Sequence, residues 1–215
     1  MDIYGAILSP FMARVVLAAR FKGIKHKMSM PKDGIKSPAF LKMNPLGKMP
    51  VLKDGSTVLF ESAVILEYLE AKYKKKRIVP SDAKASAKAR LIGAMFADYA
   101  QAAILALFPH FDPAKRDQAV VDAKLADLSK ALDIIEKMIA AKPYAAGAKF
   151  TIADCYAVPA LFFVCAFAPR FGVVDPIGGR KKLAKYLSKA KKDKLLGGVL
   201  NEMEIGLKQW ESAKK

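Results

Sequence analysis

Strand-like alternation is confined to the first part of this 215-residue chain, and that switch in hydrophobic period most restricts its fold. "DIYGAI" reads as a strand. Pro10 to Lys22 reads as a helix with Phe11, Val15, Ala18 and Ala19 on one face, and "IKHKMSM" alternates as a half-buried strand. "SPAFLKM" begins a short helix, with Ser37 as cap and Pro38 at the first helical position. "VLKDGSTVLF" is a hairpin about Asp54-Gly55, and Ile65, Leu69 and Tyr73 recur every fourth residue on a following helix. The order βαβ, α, ββα fits a small mixed sheet with helices packed on it.

After "KKKRIVPSDAKAS" the strand signal disappears. We place a first α/β domain at residues 1–76, a lysine- and proline-containing linker at 77–87, and an all-α domain at 88–215. Its helices are expected at about Ala83 to Phe108, Asp117 to Ala141 and Ile152 to Phe167, followed by basic helices to Trp210. The Asp117–Ala141 helix carries Leu125, Leu128, Leu132, Ile135 and Ile139 on one stripe. The most apolar run, "AVPALFFVCAFAP", contains Pro159 and falls short of the about 20 residues a membrane span needs, so a buried helix and no span are expected.

Cys155 and Cys165 lie on that helix about 15 Å apart, beyond disulfide reach. Two unpaired thiols, with no secretory pattern in "MDIYGAILSP", suit the cytoplasm. His26 and His110 lack ligand-like neighbours at metal spacing, so no metal is expected. Hydrophobic content of 53% with 27% charged residues excludes wholesale disorder. The net charge of +17, concentrated in "KYKKKR" and "GRKKLAKYLSKAKKDK", reads as a solvated surface or as attraction to an anionic partner. The lysine runs lack the aromatic–glycine pattern of an RNA-binding sheet, so no nucleic-acid partner is assigned.

Three placements carry possible chemistry. Ser9, before Pro10, stands where a helix starts: its hydroxyl either caps that helix or donates to a bound anion. Met49 precedes Pro50 at a strand start. Pro50 is either an ordinary edge proline or a device leaving the Met49 backbone N–H and C=O open to an extended peptide. Glu61 and Ser62 lie where strand gives way to helix. Ser62 is read as the cap, at a helix N-terminus that attracts a carboxylate, and Glu61 suits an ammonium.

Taken together, "IYGAILSPFMARVVLAARFKGI", "KSPAFLKMNPLGKMPVLKDG" and "LFESAVILEYL" resemble the thioredoxin-like N-terminal domain of cytosolic glutathione S-transferases, serine type, nearest the theta and phi classes. "YAAGAKFTIADCYAVPALFF" resembles that family's central helix, with Thr151 and Asp154 as an N-capping box. The resemblance implies glutathione as co-substrate and Ser9 as the catalytic residue stabilising its thiolate. Lys36, Lys48, Met49, Pro50, Glu61 and Ser62 would bind the tripeptide, with Pro50 in cis and a lysine meeting the glycine carboxylate. Against the phi-class pattern, Ile35 stands where histidine is usual, and Lys48 where glutamine is common. Ile7, Leu8, Phe11, Met95, Tyr99, Phe108 and Phe111 would receive an apolar electrophile. Tyr4 is the other possible thiol activator, although its place within the first strand suits packing. A homodimer is implied, with Asp98 reaching the partner's glutathione. The same fold also serves as a non-catalytic interaction module or apolar-ligand carrier, which is the alternative reading.

Overall fold

The computed structural model describes residues 1–213. In chain order the elements are β1 (Asp2–Tyr4), α1 (Pro10–Phe21), β2 (Lys27–Ser29), α2 (Pro38–Met43), β3 (Val51–Asp54), β4 (Thr57–Phe60) and α3 (Ser62–Lys72). There follow α4 (Ala83–Ala94), a π-helical segment Met95–Gln101, α5 (Ala102–Ala106), α6 (Gln118–Met138), α7 (Ile152–Phe167), α8 (Lys181–Lys192) and α9 (Lys194–Ser212). Contacts divide the chain into two compact units: residues 1–78 with the segment from Lys194 onward, and residues 79–193. The sequence boundaries assign the last helix to the all-α part; by its contacts α9 groups with the first unit, where it packs on α1. An ion pair ties the two helices, Arg20 donating to both Glu202 oxygens at 2.6 and 2.9 Å.

The first unit holds a mixed sheet in the order β2-β1-β3-β4, with β1 parallel to β2 and antiparallel to β3, and β3 antiparallel to β4. This is the expected thioredoxin-like α/β arrangement. The β3–β4 hairpin turns through Gly55, whose φ of +63° is a conformation that side chains with a Cβ rarely adopt. α1 is the core helix: Met12, Ala13 and Val15 through Ala19 are fully buried. Phe11 departs from the face assigned to it and is 37% exposed, while Pro10, Met12 and Ala13 in the same turn are buried. α1 packs on α3 as well as α9. Lys22, at the C-terminal end of α1, donates to Glu70 of α3 at 2.7 Å, and Glu70 also accepts from Arg77 Nε and from the Ile78 N–H.

The second unit is all α. Its centre is α7, which keeps twelve buried residues and runs unbroken through Pro159. The apolar helical stretch Ile152–Phe171 is 20 residues, longer than read from sequence and long enough by composition to span a membrane, but 72% of its apolar window is buried inside the protein. Ala83–His110 also meets that length and composition, with 44% buried. The helix expected at 83–108 is continuous, and takes π-helical hydrogen bonding over Met95–Gln101. On α6 the stripe Val121, Leu128, Leu132 and Ile135 is buried, continuing to Ile139, while Leu125 is half-buried.

The capping box at the start of α7 is present. Asp154 is fully buried and accepts from the Thr151 N–H (2.8 Å), the Ala145 N–H (2.8 Å), the Tyr186 hydroxyl (2.9 Å) and the Thr151 hydroxyl (3.4 Å). Cys155 and Cys165 are both free thiols, and burial pushes the Cys165 thiol up to about 11.

Candidate functional site

Strand register decides which loops share an end of the sheet. Tyr4, the last residue of β1, pairs with Val51, the first of β3, and Val51 pairs with Phe60, the last of β4. The loop leaving β1 (residues 5–9), the loop entering β3 (44–50) and the step from β4 to α3 (61–62) therefore emerge side by side. Adjacent strands are about 4.8 Å apart, so three stretches far apart in the sequence converge at one edge.

The first loop ends at Ser9, the N-cap residue of α1, whose C=O accepts from the Ala13 N–H at 2.9 Å. Its hydroxyl makes no capping hydrogen bond and is half-buried. The same dipeptide at Ser37-Pro38 behaves differently: there the hydroxyl accepts from the Phe40 N–H at 3.3 Å and donates to the Gly34 C=O at 2.9 Å. Of the two readings of Ser9, the capping one has no hydrogen bond behind it. Ile7 and Leu8 are half-buried in the same loop, and Leu8 lies against Gly206 of α9, where an added Cβ would come within 3.2 Å of the Leu8 Cβ. Tyr4, paired with Ser29 and Val51, is the last residue of β1 and is half-buried.

The second loop touches the first. The Ala6 N–H approaches Met49 Sδ at 3.2 Å, and a Cβ added to Gly5, which sits at φ +152°, would come within 3.2 Å of Met49 Cβ. The Met49–Pro50 bond is cis. Among the described residues neither the N–H nor the C=O of Met49 takes part in a hydrogen bond, which leaves both for an extended partner. Asn44, 2% exposed, holds this loop from inside: its amide nitrogen donates to the Lys48 C=O at 2.7 Å and its oxygen accepts from the Leu46 N–H at 3.0 Å. Lys48 is exposed beside Met49. Lys36 is brought to the same loop, its Nζ only 2.8 Å from where a Cβ on Gly47 would lie. Lys36 thus meets the loop that carries Lys48 and Met49.

At the third position the structure corrects the sequence reading. Ser62 is not the cap of α3 but its first helical residue; Glu61 is the cap, in the left-handed region at φ +67°, and gives no side-chain capping bond. Among the described residues no side chain therefore caps the first turn of α3, and exposed Glu61 stands beside it. Ser62 is 4% exposed, and its hydroxyl oxygen accepts from Arg14 Nη1 at 3.1 Å. Neither Arg14 nor Asn44 stands out in the sequence as a site residue. Asn44-Pro45 is a turn signal, whereas nothing local marks Arg14.

Of the expected apolar residues, Phe11 is partly exposed in the first turn of α1, with the Arg14 guanidinium 5.3 Å from its ring centre. In the second unit, Met95 and Tyr99 lie on the π-helical segment, and Phe108 and Phe111 belong to an aromatic cluster. Phe108 stacks parallel to Phe163 at 5.9 Å and meets Phe167 edge-on at 4.9 Å, while Phe111 stacks on Phe171 at 5.4 Å. Tyr99, 57% exposed, lines with Asp98 a groove of about 420 Å³ against Lys124, Lys130 and Ile134 of α6. Met95, Phe108 and Phe111 do not line that groove. Among the described residues, no group of three or more His, Cys, Asp or Glu side chains is placed to hold a metal ion.

Comparison with known proteins identifies the family to which the chain belongs. The profile of the glutathione S-transferase N-terminal domain matches residues 3–77, and that of the glutathione S-transferase C-terminal domain matches residues 97–195. The chain is 35% identical to glutathione S-transferase 3 of Zea mays over 187 residues, 81% of this chain and 82% of that protein. It is 30% identical to a probable glutathione S-transferase of Glycine max over 168 residues, 78% of this chain and 72% of that one. Among solved structures, glutathione S-transferase I bound with lactoylglutathione superimposes with a TM-score of 0.76 at 26% identity, covering 94% of this chain and 98% of the other. On these grounds the chain belongs to the glutathione S-transferase family.

Proposed function

We propose that this protein is a glutathione transferase that conjugates the tripeptide's thiolate to hydrophobic electrophiles, and that the three converging loops form its glutathione site. The observation that carries the reading is the set of unused hydrogen-bonding groups at one end of the sheet: the Ser9 hydroxyl, the Met49 N–H and C=O, and the uncapped first turn of α3. Each suits one part of γ-Glu-Cys-Gly. The open helix start with Ser62 takes the γ-glutamyl carboxylate, and Glu61 takes its ammonium. The Met49 backbone pairs with the cysteine residue as an added strand would, beside Pro50. Lys36 and Lys48 meet the glycine carboxylate.

Ser9 is the catalytic residue. A free thiol with pKa near 8.5 is only a few per cent ionised at neutral pH. One hydrogen bond donated to the thiolate, worth about 1.5–3 kcal/mol, lowers that pKa by roughly one to two units, and the start of α1 acts in the same direction. The thiolate sulfur then forms a bond to the electrophilic carbon, and in a substitution the leaving group departs with the bonding pair. Ile7, Leu8 and Phe11 supply apolar surface next to Ser9. In the helical unit Met95, Tyr99, Phe108 and Phe111 are the proposed acceptor-binding residues. We further propose a cytoplasmic homodimer acting in detoxification. The test is retention on immobilised glutathione, together with turnover of a chlorinated aromatic electrophile. A protein that neither binds the resin nor turns over the electrophile is an adaptor or carrier instead.

A further inference from the structure

Arg14 is a cation on the core helix of the first unit, 4% exposed, among residues that are otherwise apolar. Its Nη1 reaches Ser62 Oγ at 3.1 Å, and its guanidinium lies 5.3 Å from the Phe11 ring centre. A guanidinium nitrogen only donates, so the Ser62 oxygen is the acceptor in this bond. A hydroxyl that has accepted a hydrogen bond on one side has its single proton left for a different direction. Ser62 is the first residue of α3, so the groups around it are the unpaired N–H groups of that helix start. A fixed charge thus stands directly behind a hydroxyl at the positive end of a helix, and both favour an anion in front of it.

We propose that Arg14 is a positioning residue for the γ-glutamyl carboxylate. It holds Ser62 as a donor toward that carboxylate and adds its charge to the α3 start, without touching the tripeptide. This inference rests on the glutathione reading above and assigns selectivity for the α-carboxylate to a residue on a different helix from the one that binds it. Arginine also suits the role better than lysine, because its planar fork is pre-organised while an ammonium is a point charge on a flexible stem.

The test compares glutathione with its analogue lacking the γ-glutamyl α-carboxylate (4-aminobutyryl-Cys-Gly), in the full-length wild type, Arg14→Lys, Arg14→Met, Ser62→Ala and the Arg14→Met/Ser62→Ala double variant. The wild type should show a lower KM for glutathione than for the analogue. Arg14→Met should raise the KM for glutathione about tenfold or more, the loss of one charge-assisted hydrogen bond, while changing kcat and the analogue's KM little. Arg14→Lys, which keeps the charge, should recover part of the discrimination. The two single effects should not add in the double variant. Equal penalties on both tripeptides, or Arg14→Lys retaining the full wild-type discrimination, would overturn the proposal, and the lysine variant decides this even where Arg14→Met does not fold. If the wild type itself binds neither tripeptide, the glutathione reading falls with it. If the wild type discriminates and the Arg14 variants keep the same ratio, only the role of Arg14 falls.

Discussion

Ser9→Ala separates a structural serine from a chemical one. In most helices, replacing a capping serine with alanine costs about 1 kcal/mol, because the hydroxyl satisfies a first-turn N–H. Here that hydroxyl makes no capping bond, and the backbone at φ −59°, ψ 125° is open to alanine. The substitution removes no native capping bond. The expected change in stability is within about 0.5 kcal/mol, or less than about 2 °C in Tm for a chain of this size. The catalytic effect should be far larger. Losing a hydrogen bond to a thiolate worth about 1.5–3 kcal/mol lowers kcat/KM for the chlorinated aromatic roughly 10- to 150-fold near neutral pH.

The two quantities are read independently, by thermal melting and by steady-state turnover across pH. In the variant the acidic limb of the kcat/KM profile should move up by about one to two units, and activity should recover toward wild type at alkaline pH, where the thiol ionises unaided. Ser37→Ala is the internal control. Its hydroxyl does cap α2, so it should lose about 1 kcal/mol while leaving the pH profile where it was. Full activity in Ser9→Ala would refute the assignment. So would a loss of activity with no movement of the profile, since that would make Ser9 a packing residue.

Three further outcomes test the packing within each unit. Asp154→Ala strands the Ala145 and Thr151 N–H groups and the Tyr186 hydroxyl in the core, and chemical denaturation should show a loss on the order of 3 kcal/mol or more. Burial pushes the Asp154 carboxyl up to about 6, against its four hydrogen bonds. A carboxyl raised on folding binds more protons folded than unfolded, so it adds stability as pH falls from about 6 toward 4. Asp154→Asn should lack that rise when unfolding is followed across this range. Burial acts to raise the Glu70 carboxyl, but the bonds from Lys22, the Ile78 N–H and Arg77 outweigh it and its pKa is lowered. Its stabilisation is therefore complete above the ordinary glutamate range and lost as pH falls below it, and Glu70→Gln, which leaves the fully buried Lys22 without its carboxylate, should cost about 3–5 kcal/mol at neutral pH.

Features written in adjacent residues were legible in the sequence. The Asp54-Gly55 hairpin, the Ser37-Pro38 helix start, the Thr151/Asp154 box and the three loops each carry their signal within a few positions. Convergence of those loops followed only from the resemblance, because register is a property of paired strands. Misreadings arose where backbone conformation intervened. The left-handed Glu61 shifts the cap of α3 by one residue, and the π-helical segment leaves Met95–Gln101 out of step with a 3.6-residue repeat.

The buried cations of α1 were the least visible, since in sequence they look like breaks in an apolar stripe. Their partners explain them: Arg14 bonds Ser62, and Lys22 bonds Glu70. Both pairs are separated by 48 residues, so eight positions along α1 match eight along α3. A constant offset of this kind requires the two helices to run in the same direction and in register over about 12 Å. A slip of one residue would rotate each cation by about 100° away from its acceptor and leave it buried without that bond. The polar interruptions in an otherwise apolar helix therefore specify its alignment with α3. One of the two pins ends at the serine where the tripeptide's carboxylate is proposed to bind, so the contact that fixes the packing also fixes the site.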